Sequence, residues 1–131
     1  MDKAKILVVE DDEFLREIYL ETLKDEGYIV EFGIDGEEGF QKIKQGGYDL
    51  VLLDIIMPKM DGLEVMRRIK AEGEPLKNKR LIFLTNLDKD EEIKEALKLG
   101  DGYLIKSQLT PEDLIREVKL YLSKNLIAPA Q

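Results

Sequence analysis

The chain has 131 residues, of which 37% are charged and 44% hydrophobic, and its formal net charge is −8. That length suits one domain with a substantial core, and the composition is typical of a globular protein with a well-solvated surface. The acidic balance argues against direct nucleic-acid binding, because such surfaces depend on clustered Lys and Arg. Cysteine and histidine are both absent, which excludes disulfides, zinc–thiolate sites, thiol catalysis and Ser-His-Asp chemistry. Any chemistry must come from carboxylates, hydroxyls and amines.

No stretch approaches the ~18 consecutive apolar residues that a membrane helix needs. The N-terminus also has no long apolar segment followed by a small-residue cleavage site. We therefore expect a cytoplasmic location and no membrane partner.

Short apolar runs alternate along the chain with stretches of helical spacing. The runs predict five β-strands, at residues 6–9, 28–32, 50–53, 81–84 and 103–105. Four of these runs are solidly apolar, as expected for parallel strands covered on both faces. The second contains Glu31 and is the best candidate for an edge strand.

Each strand is followed by a predicted helix. The first should end at Gly27 as a C′ glycine, and the last should begin with Thr110 as N-cap and Pro111 at the first helical position. The stretch 36–45 has the weakest pattern, with Phe40 and Ile43 as its main anchors. The apolar faces of the other four helices are expected to contain Phe14, Leu15, Ile18, Tyr19, Thr22 and Leu23; Leu63, Met66 and Ile69; Ile93, Ala96 and Leu97; and Leu114, Ile115, Val118, Tyr121 and Leu122.

This (βα)₅ order predicts an α/β fold, because right-handed crossovers then require a doubly wound parallel sheet. We expect one domain over residues 1–125 and a loosely ordered tail over residues 126–131. In such open sheets the ligand site lies outside the carboxyl ends of the strands.

Polar side chains follow four of the predicted strands at that end of the sheet. They are Glu10, Asp11 and Asp12 after strand 1, Asp54 after strand 3, Thr85 after strand 4 and Lys106 after strand 5. Each has an ordinary structural explanation when taken alone: a solvated acidic run with a helix cap, a turn residue, a strand-end hydroxyl and a surface lysine. Four independent coincidences at one end of one sheet are much rarer than one shared site.

The residue types indicate what this site can do. Two carboxylates ~4 Å apart repel by ~4 kcal/mol at an effective dielectric near 20, so the acidic cluster needs a counter-ion, and oxygen ligands beside phosphate favour Mg²⁺. Asp11 and Asp54 would bind it directly, with Glu10 nearby or acting through water. Asp54 could also attack phosphorus and form an acyl phosphate, while Lys106 pairs with the phosphoryl oxygens and Thr85 hydrogen-bonds to one of them.

Four segments resemble the receiver domain of two-component response regulators, including the stand-alone chemotaxis regulators. They are Val8–Asp12, Asp49–Gly62, Leu84–Thr85 and Gly102–Lys106, and the match extends from about residue 6 to residue 122. The resemblance implies a flavodoxin-like fold with strand order 2-1-3-4-5. It also implies a signalling protein that catalyses only its own phosphorylation and dephosphorylation, with a histidine kinase or phosphotransfer protein as donor. The face made by helix 4, strand 5 and helix 5 would then engage a downstream protein target.

The resemblance further implies that Asp54 is the phosphoacceptor and that Glu10 and Asp11 are the acidic pair. The Ile56 backbone carbonyl would be a metal ligand, and Thr85 and Tyr103 would be the switch pair. Three features depart from the family pattern. Ser107 replaces the usual proline after Lys106, Asn86 replaces a small residue, and the segment 99–103 is one residue shorter.

Two alternatives remain open. A degenerate receiver would bind partners without phosphorylation, and the three departures are its only support. A small phosphatase of the haloacid dehalogenase type would need an acid two residues after its nucleophile, where this chain has Ile56, which cannot transfer a proton. A Rossmann-type cofactor protein is disfavoured, because acids rather than a Gly-rich turn follow the first strand. The sequence leaves open whether the domain stands alone or belongs to a longer protein.

Overall fold

The computed structural model describes residues 3–72, 78–86 and 90–123, apart from the side chains of residues 90 and 92. The predicted tail lies outside these residues. The strands are β1 (Lys5–Val9), β2 (Ile29–Gly33), β3 (Leu50–Asp54), β4 (Leu81–Thr85) and β5 (Gly102–Ile105). The helices are α1 (Glu13–Asp25), α2 (Gly36–Gln45), α3 (Gly62–Ala71), α4 (Asp90–Leu99) and α5 (Pro111–Ser123), with a short 3₁₀ turn at Lys106–Gln108.

All strand pairs are parallel, and the strand order is β2-β1-β3-β4-β5. This confirms the doubly wound α/β fold and places β2 at an edge, as Glu31 indicated. Side chains alternate between the two faces of each strand, so the sheet has two separate apolar layers. We call them the α1/α5 face, which includes Ile6, Val8, Leu50, Leu52, Ile82 and Leu84, and the α2/α3/α4 face, which includes Leu7, Val9, Val51, Leu53, Leu81 and Phe83.

Short polar residues fix where the helices begin. Asp12, Asp35 and Asp61 each accept a hydrogen bond from the backbone N–H three residues further on, at the starts of α1, α2 and α3. At the start of α5, Thr110 and Asp113 exchange hydrogen bonds of 3.1 and 3.2 Å, which confirms Thr110 as the N-cap. Three of these caps lie at the carboxyl ends of β1, β2 and β3, so they also hold the loops around the expected site.

The end of α1 agrees with the prediction as well. Gly27 follows the helix at φ +94°, and its N–H donates to the Lys24 carbonyl. Glycine tolerates this left-handed conformation without the penalty that a Cβ would bring.

Burial differs from the prediction in three places. β5 is less buried than a central strand: it is the second edge of the sheet, and Tyr103, Leu104 and Ile105 are only half-buried. Phe14 is 74% exposed because, at 100° per residue, it lies on the opposite side of α1 from the buried Leu23. Leu97 is 53% exposed for a related reason, since it lies a quarter-turn away from the buried side of α4.

Within the described residues, no helix combines the length and the apolar character needed to cross a bilayer.

The turn between β3 and α3 predicts a large effect for one small substitution. A Cβ at Gly62 would collide with the backbone carbonyl oxygen of Asp54, and backbone cannot move aside as a flexible side chain can. We expect Gly62→Ala to lower the free energy of unfolding by roughly 3 kcal/mol, measured by urea denaturation. Gly47→Ala is the control: its Cβ meets open space at φ +98°, so the conformational strain should cost only about 1 kcal/mol. Equal losses for both variants would contradict the steric explanation.

Candidate functional site at the carboxyl ends of the strands

Three charged side chains from three strands meet at the carboxyl end of the sheet. The Lys106 ammonium lies 2.8 Å from Glu10 Oε1 and 3.0 Å from Asp54 Oδ2. Glu10 is fully buried, Asp54 is 2% exposed and the Lys106 side chain is 11% exposed. These residues, predicted from separate segments of the sequence, therefore form one buried cluster, which we call the acid–lysine cluster.

Strand alternation explains why the cluster forms. Its three members each lie two positions after an apolar residue of the α1/α5 layer, namely Val8, Leu52 and Leu104. Since side chains two apart share a face, the charged groups extend the rows of β1, β3 and β5 on that face beyond their apolar part, with the row of β4 between those of β3 and β5. The in-register pairing of Val8 with Leu52 places Glu10 beside Asp54.

The electrostatics of the cluster leave it short of positive charge. Burial raises the pKa of Asp54 well above its usual value, the neighbouring Glu10 raises it further, and Lys106 only partly opposes both. Burial lowers the pKa of Lys106, but the hydrogen bonds and charges of the two carboxylates outweigh it, and the net direction is upward. One ammonium is therefore shared between two buried carboxylates.

Glu10 provides a specific test of whether a cation fits here. Its Oε2 accepts the Asp12 N–H at 3.1 Å, whereas its Oε1 is buried and has no partner in hydrogen-bonding geometry, although the ammonium is close. Carboxylate oxygens of Glu10, Asp11 and Asp54 all lie within 4.8 Å of one another. Asp11 is exposed and so keeps the group open to solvent. A buried oxygen without a hydrogen bond, inside an all-oxygen donor set, fits a hard divalent cation.

Ile56 lies two residues after Asp54, in the turn to α3, and its side chain is 59% exposed. The participation of its carbonyl in metal binding stays a prediction.

The two predicted switch residues lie in rows of the opposite face. Thr85 ends β4 and is 1% exposed, and Tyr103 is half-buried against the α2/α3/α4 layer. Tyr103 is paired in register with Phe83, which precedes Thr85 by two positions in its own row. Thr85 thus continues the row of Phe83, whereas the acid–lysine cluster continues rows of the α1/α5 face.

The segments that depart from the family pattern have defined structures. Lys106–Gln108 forms a 3₁₀ turn closed by the Leu109 N–H on the Lys106 carbonyl at 3.2 Å, and no cis peptide bond occurs among the described residues. In the short segment before β5, the Asp101 N–H donates to the Leu81 carbonyl and the Asp101 carboxylate accepts the Leu81 N–H, each at 2.7 Å. Asn86 is exposed directly after β4.

One positioning contact escaped the sequence analysis. The Arg16 guanidinium donates to the backbone carbonyl of Glu10 at 2.9 Å and so anchors the loop after β1 to α1. The only signal in the sequence for this contact was a basic residue one turn into the helix that follows the acidic run.

Comparison with known proteins places this geometry in a family. A model of the response regulator receiver domain matches residues 6–119. The transcriptional regulatory protein DltR of Streptococcus agalactiae is 35% identical over 116 residues, covering 88% of this chain and 50% of the relative. The response regulator MprA of Mycolicibacterium vanbaalenii is 39% identical over 114 residues, covering 86% of this chain and 48% of the relative. The chain thus spans about half the length of these curated relatives.

Solved structures of receiver domains have the same fold as this chain. The chemotaxis protein CheY4 of Vibrio cholerae superimposes with a TM-score of 0.80 at 29% identity, covering 92% of this chain and 99% of that one. A CheY-like response regulator receiver domain protein from Methanospirillum hungatei gives a TM-score of 0.81 at 30% identity, covering 92% and 94%. Given the matched family model, the fold and the strand order, this chain belongs to the response regulator receiver domain family.

Proposed function

We propose that this domain is a phosphoacceptor switch of a two-component phosphorelay. It would accept a phosphoryl group on Asp54 from a histidine kinase or a histidine phosphotransfer protein, with Mg²⁺ held by Glu10, Asp11, Asp54 and the Ile56 carbonyl. The observation that carries the proposal is the buried Asp54 carboxylate, which lies 3.0 Å from the Lys106 ammonium beside further acidic oxygens. This arrangement combines a nucleophile with charges suited to a transferring phosphoryl group.

The chemical step is a displacement at phosphorus. An Asp54 oxygen attacks and forms an O–P bond, while the bond from phosphorus to the donor's imidazole nitrogen breaks and its electron pair leaves with the imidazole. Lys106 pairs with the phosphoryl oxygens and Thr85 donates a hydrogen bond to one of them. A bound Mg²⁺ supplies the additional positive charge that this charge-deficient cluster lacks.

The switch acts through the opposite face of the sheet. Thr85 is drawn toward the phosphoryl group, and the half-buried Tyr103 ring changes position in response. Inverting such an equilibrium from 1:99 to 99:1 takes ~5.5 kcal/mol of differential interaction, which a few charge-assisted hydrogen bonds can supply.

We further propose that α4, β5 and α5 form the face that engages a downstream protein target, with no direct contact to nucleic acid or membrane. Leu97 on α4 and Leu120 on α5 are exposed, and β5 is an uncovered edge, so this side offers apolar surface to a partner. The domain itself would catalyse only its own phosphorylation and dephosphorylation.

Phosphorylation can be measured directly. On incubation with acetyl phosphate and Mg²⁺, intact mass should increase by ~80 Da, because one phosphoryl group replaces one proton. Asp54→Ala should show no increase. Asp49→Asn is a matched control, since Asp49 directly precedes the same strand and lies at its far end, and it should be labelled like wild type. An adduct that survives in Asp54→Ala would contradict the proposal, and so would the absence of an adduct in wild type. If wild type forms no adduct, equal partner affinities of wild type and Asp54→Ala would indicate the degenerate receiver.

Metal binding predicts a stability change. In EDTA, Asp54→Asn should be more stable than wild type by about 1–2 kcal/mol, because it removes one of two buried carboxylates that share Lys106. Mg²⁺ should raise the melting temperature of wild type and narrow this gap, since the cation replaces the missing positive charge. Thermal denaturation with Mg²⁺ and with EDTA checks both effects. An equal response of the two proteins to Mg²⁺ would exclude Asp54 as a ligand.

The switch pair predicts a separable defect. With Mg²⁺ and beryllofluoride, the Tyr103 ring resonances of tyrosine-labelled protein should shift in wild type but not in Thr85→Ala. The Thr85 variant should still acquire the ~80 Da adduct from acetyl phosphate, since Asp54 and Lys106 are intact. Tyr48 is the internal control, because its hydroxyl bonds Glu31 beyond the site, at 2.6 Å. A Tyr103 shift of wild-type size in Thr85→Ala would remove Thr85 from the switch.

A further inference from the structure

Tyr19 is a buried polar residue that the proposed mechanism does not use. It lies on the sheet-facing side of α1 and is 4% exposed. α1 begins at the carboxyl end of β1, where Asp12 caps it, so the N-terminus of this helix is at the same end of the sheet as the acid–lysine cluster. Tyrosine side chains in helices lean toward the helix N-terminus. The Tyr19 phenol is therefore directed along the sheet toward the cluster.

The phenol also lies on the correct face of the sheet. Tyr19 packs in the α1/α5 layer, which contains Val8, Leu52 and Leu84. The acid–lysine cluster continues the strand rows of that same layer. A ring that packs on these apolar rows and leans toward their carboxyl ends directs its hydroxyl toward the end of the sheet where the cluster lies.

The charges that act on the phenol agree with this placement. Burial raises the pKa of Tyr19 to about 12, Lys106 opposes that rise, and Glu10, Asp54 and Asp12 add to it. All four are groups of the site or of the loop beside it, in agreement with the face and the direction that the packing of Tyr19 gives. By contrast, the pKa of the other buried tyrosine, Tyr48, is raised by burial and by Glu31.

The Tyr19 hydroxyl is neutral at physiological pH, because its pKa is raised, and its oxygen can accept a hydrogen bond. Lys106 has three N–H donors, of which Asp54 accepts one at 3.0 Å, while Glu10 forms an ion pair with the ammonium at 2.8 Å. When Asp54 becomes an acyl phosphate it loses its negative charge, so Lys106 loses one ionic partner and turns to the phosphoryl oxygens. A neutral hydrogen-bond acceptor can orient the Lys106 ammonium without neutralising the positive charge that the phosphoryl group needs.

We propose that Tyr19 is a positioning residue for Lys106, whose ammonium donates a hydrogen bond to the Tyr19 hydroxyl as it leaves the carboxylates for the phosphoryl group. The inference deepens the proposed phosphoacceptor function and rests on it.

Tyr19→Phe tests the proposal because it removes the hydroxyl and leaves the ring packing in place. At saturating acetyl phosphate and Mg²⁺, its phosphorylation rate constant should fall by roughly ten- to a hundredfold, the loss expected for one hydrogen bond from a charged donor. The acetyl phosphate concentration at half-maximal rate should change little. Tyr48→Phe is the control: it loses the 2.6 Å bond to Glu31 and should be less stable, yet it should be phosphorylated at the wild-type rate. A wild-type rate constant in Tyr19→Phe would overturn the proposal.

A second measurement does not depend on phosphorylation. In the Glu10→Gln/Asp54→Asn background Lys106 loses both ionic partners, so its ammonium should turn to Tyr19. The Lys106 ammonium signal in ¹⁵N-detected NMR should then show slower proton exchange with water than in the same background carrying Tyr19→Phe. Identical exchange in the two proteins would overturn the Tyr19 contact. If wild type takes up no phosphoryl group, the proposed function fails and this comparison alone decides the inference.

Discussion

The rest of the site depends on one constraint: two carboxylates are buried beside a single ammonium. Removing Glu10 and Asp54 from water disfavours their charged forms, and Lys106 offsets only part of that cost. A structure selected for stability alone would have apolar side chains in place of such a cluster, as it has at Val8, Leu52 and Leu104 in the same rows. In the proposed function, this charge imbalance favours the binding of a divalent cation and then of a phosphoryl group.

The surrounding structure keeps this cluster in place without side-chain bulk. Gly62 lets the turn after β3 pass against the Asp54 backbone, and Arg16 anchors the loop after β1 by its hydrogen bond to the Glu10 carbonyl. Helix caps at the starts of α1, α2 and α3 satisfy the backbone N–H groups nearest the site. Local contacts thus fix the backbone around the cluster without using the charged side chains themselves.

In the proposed function, one face of the sheet carries out the phosphoryl transfer and the other face carries the conformational change. The acid–lysine cluster extends the α1/α5 layer, and Thr85 and Tyr103 extend or pack against the α2/α3/α4 layer. A change at Asp54 can reach the α4 side through Thr85, since β3 and β4 are hydrogen-bonded neighbours. Tyr19 packs on the α1/α5 face, so its proposed role concerns the phosphoryl transfer and not the conformational change.

Much of this was predictable because it depends on local pattern. Solid apolar runs, a glycine after α1 and Thr110–Pro111 before α5 each specify a local conformation, and the matching elements are present. The errors at Phe14, Leu97 and β5 concern burial, which depends on how far a helix or a sheet edge is covered by its neighbours. Residue type and order by themselves determined the (βα)₅ fold and the acidic, hydroxyl and amine groups available for chemistry. Only the tertiary structure decided that Lys106 pairs with Glu10 as well as Asp54, that Tyr103 packs against the other face of the sheet, and that Tyr19 packs on the same face as the cluster. The physical reason is that strand register and helix rotation are set by packing between segments distant in sequence, and they determine which side chains meet.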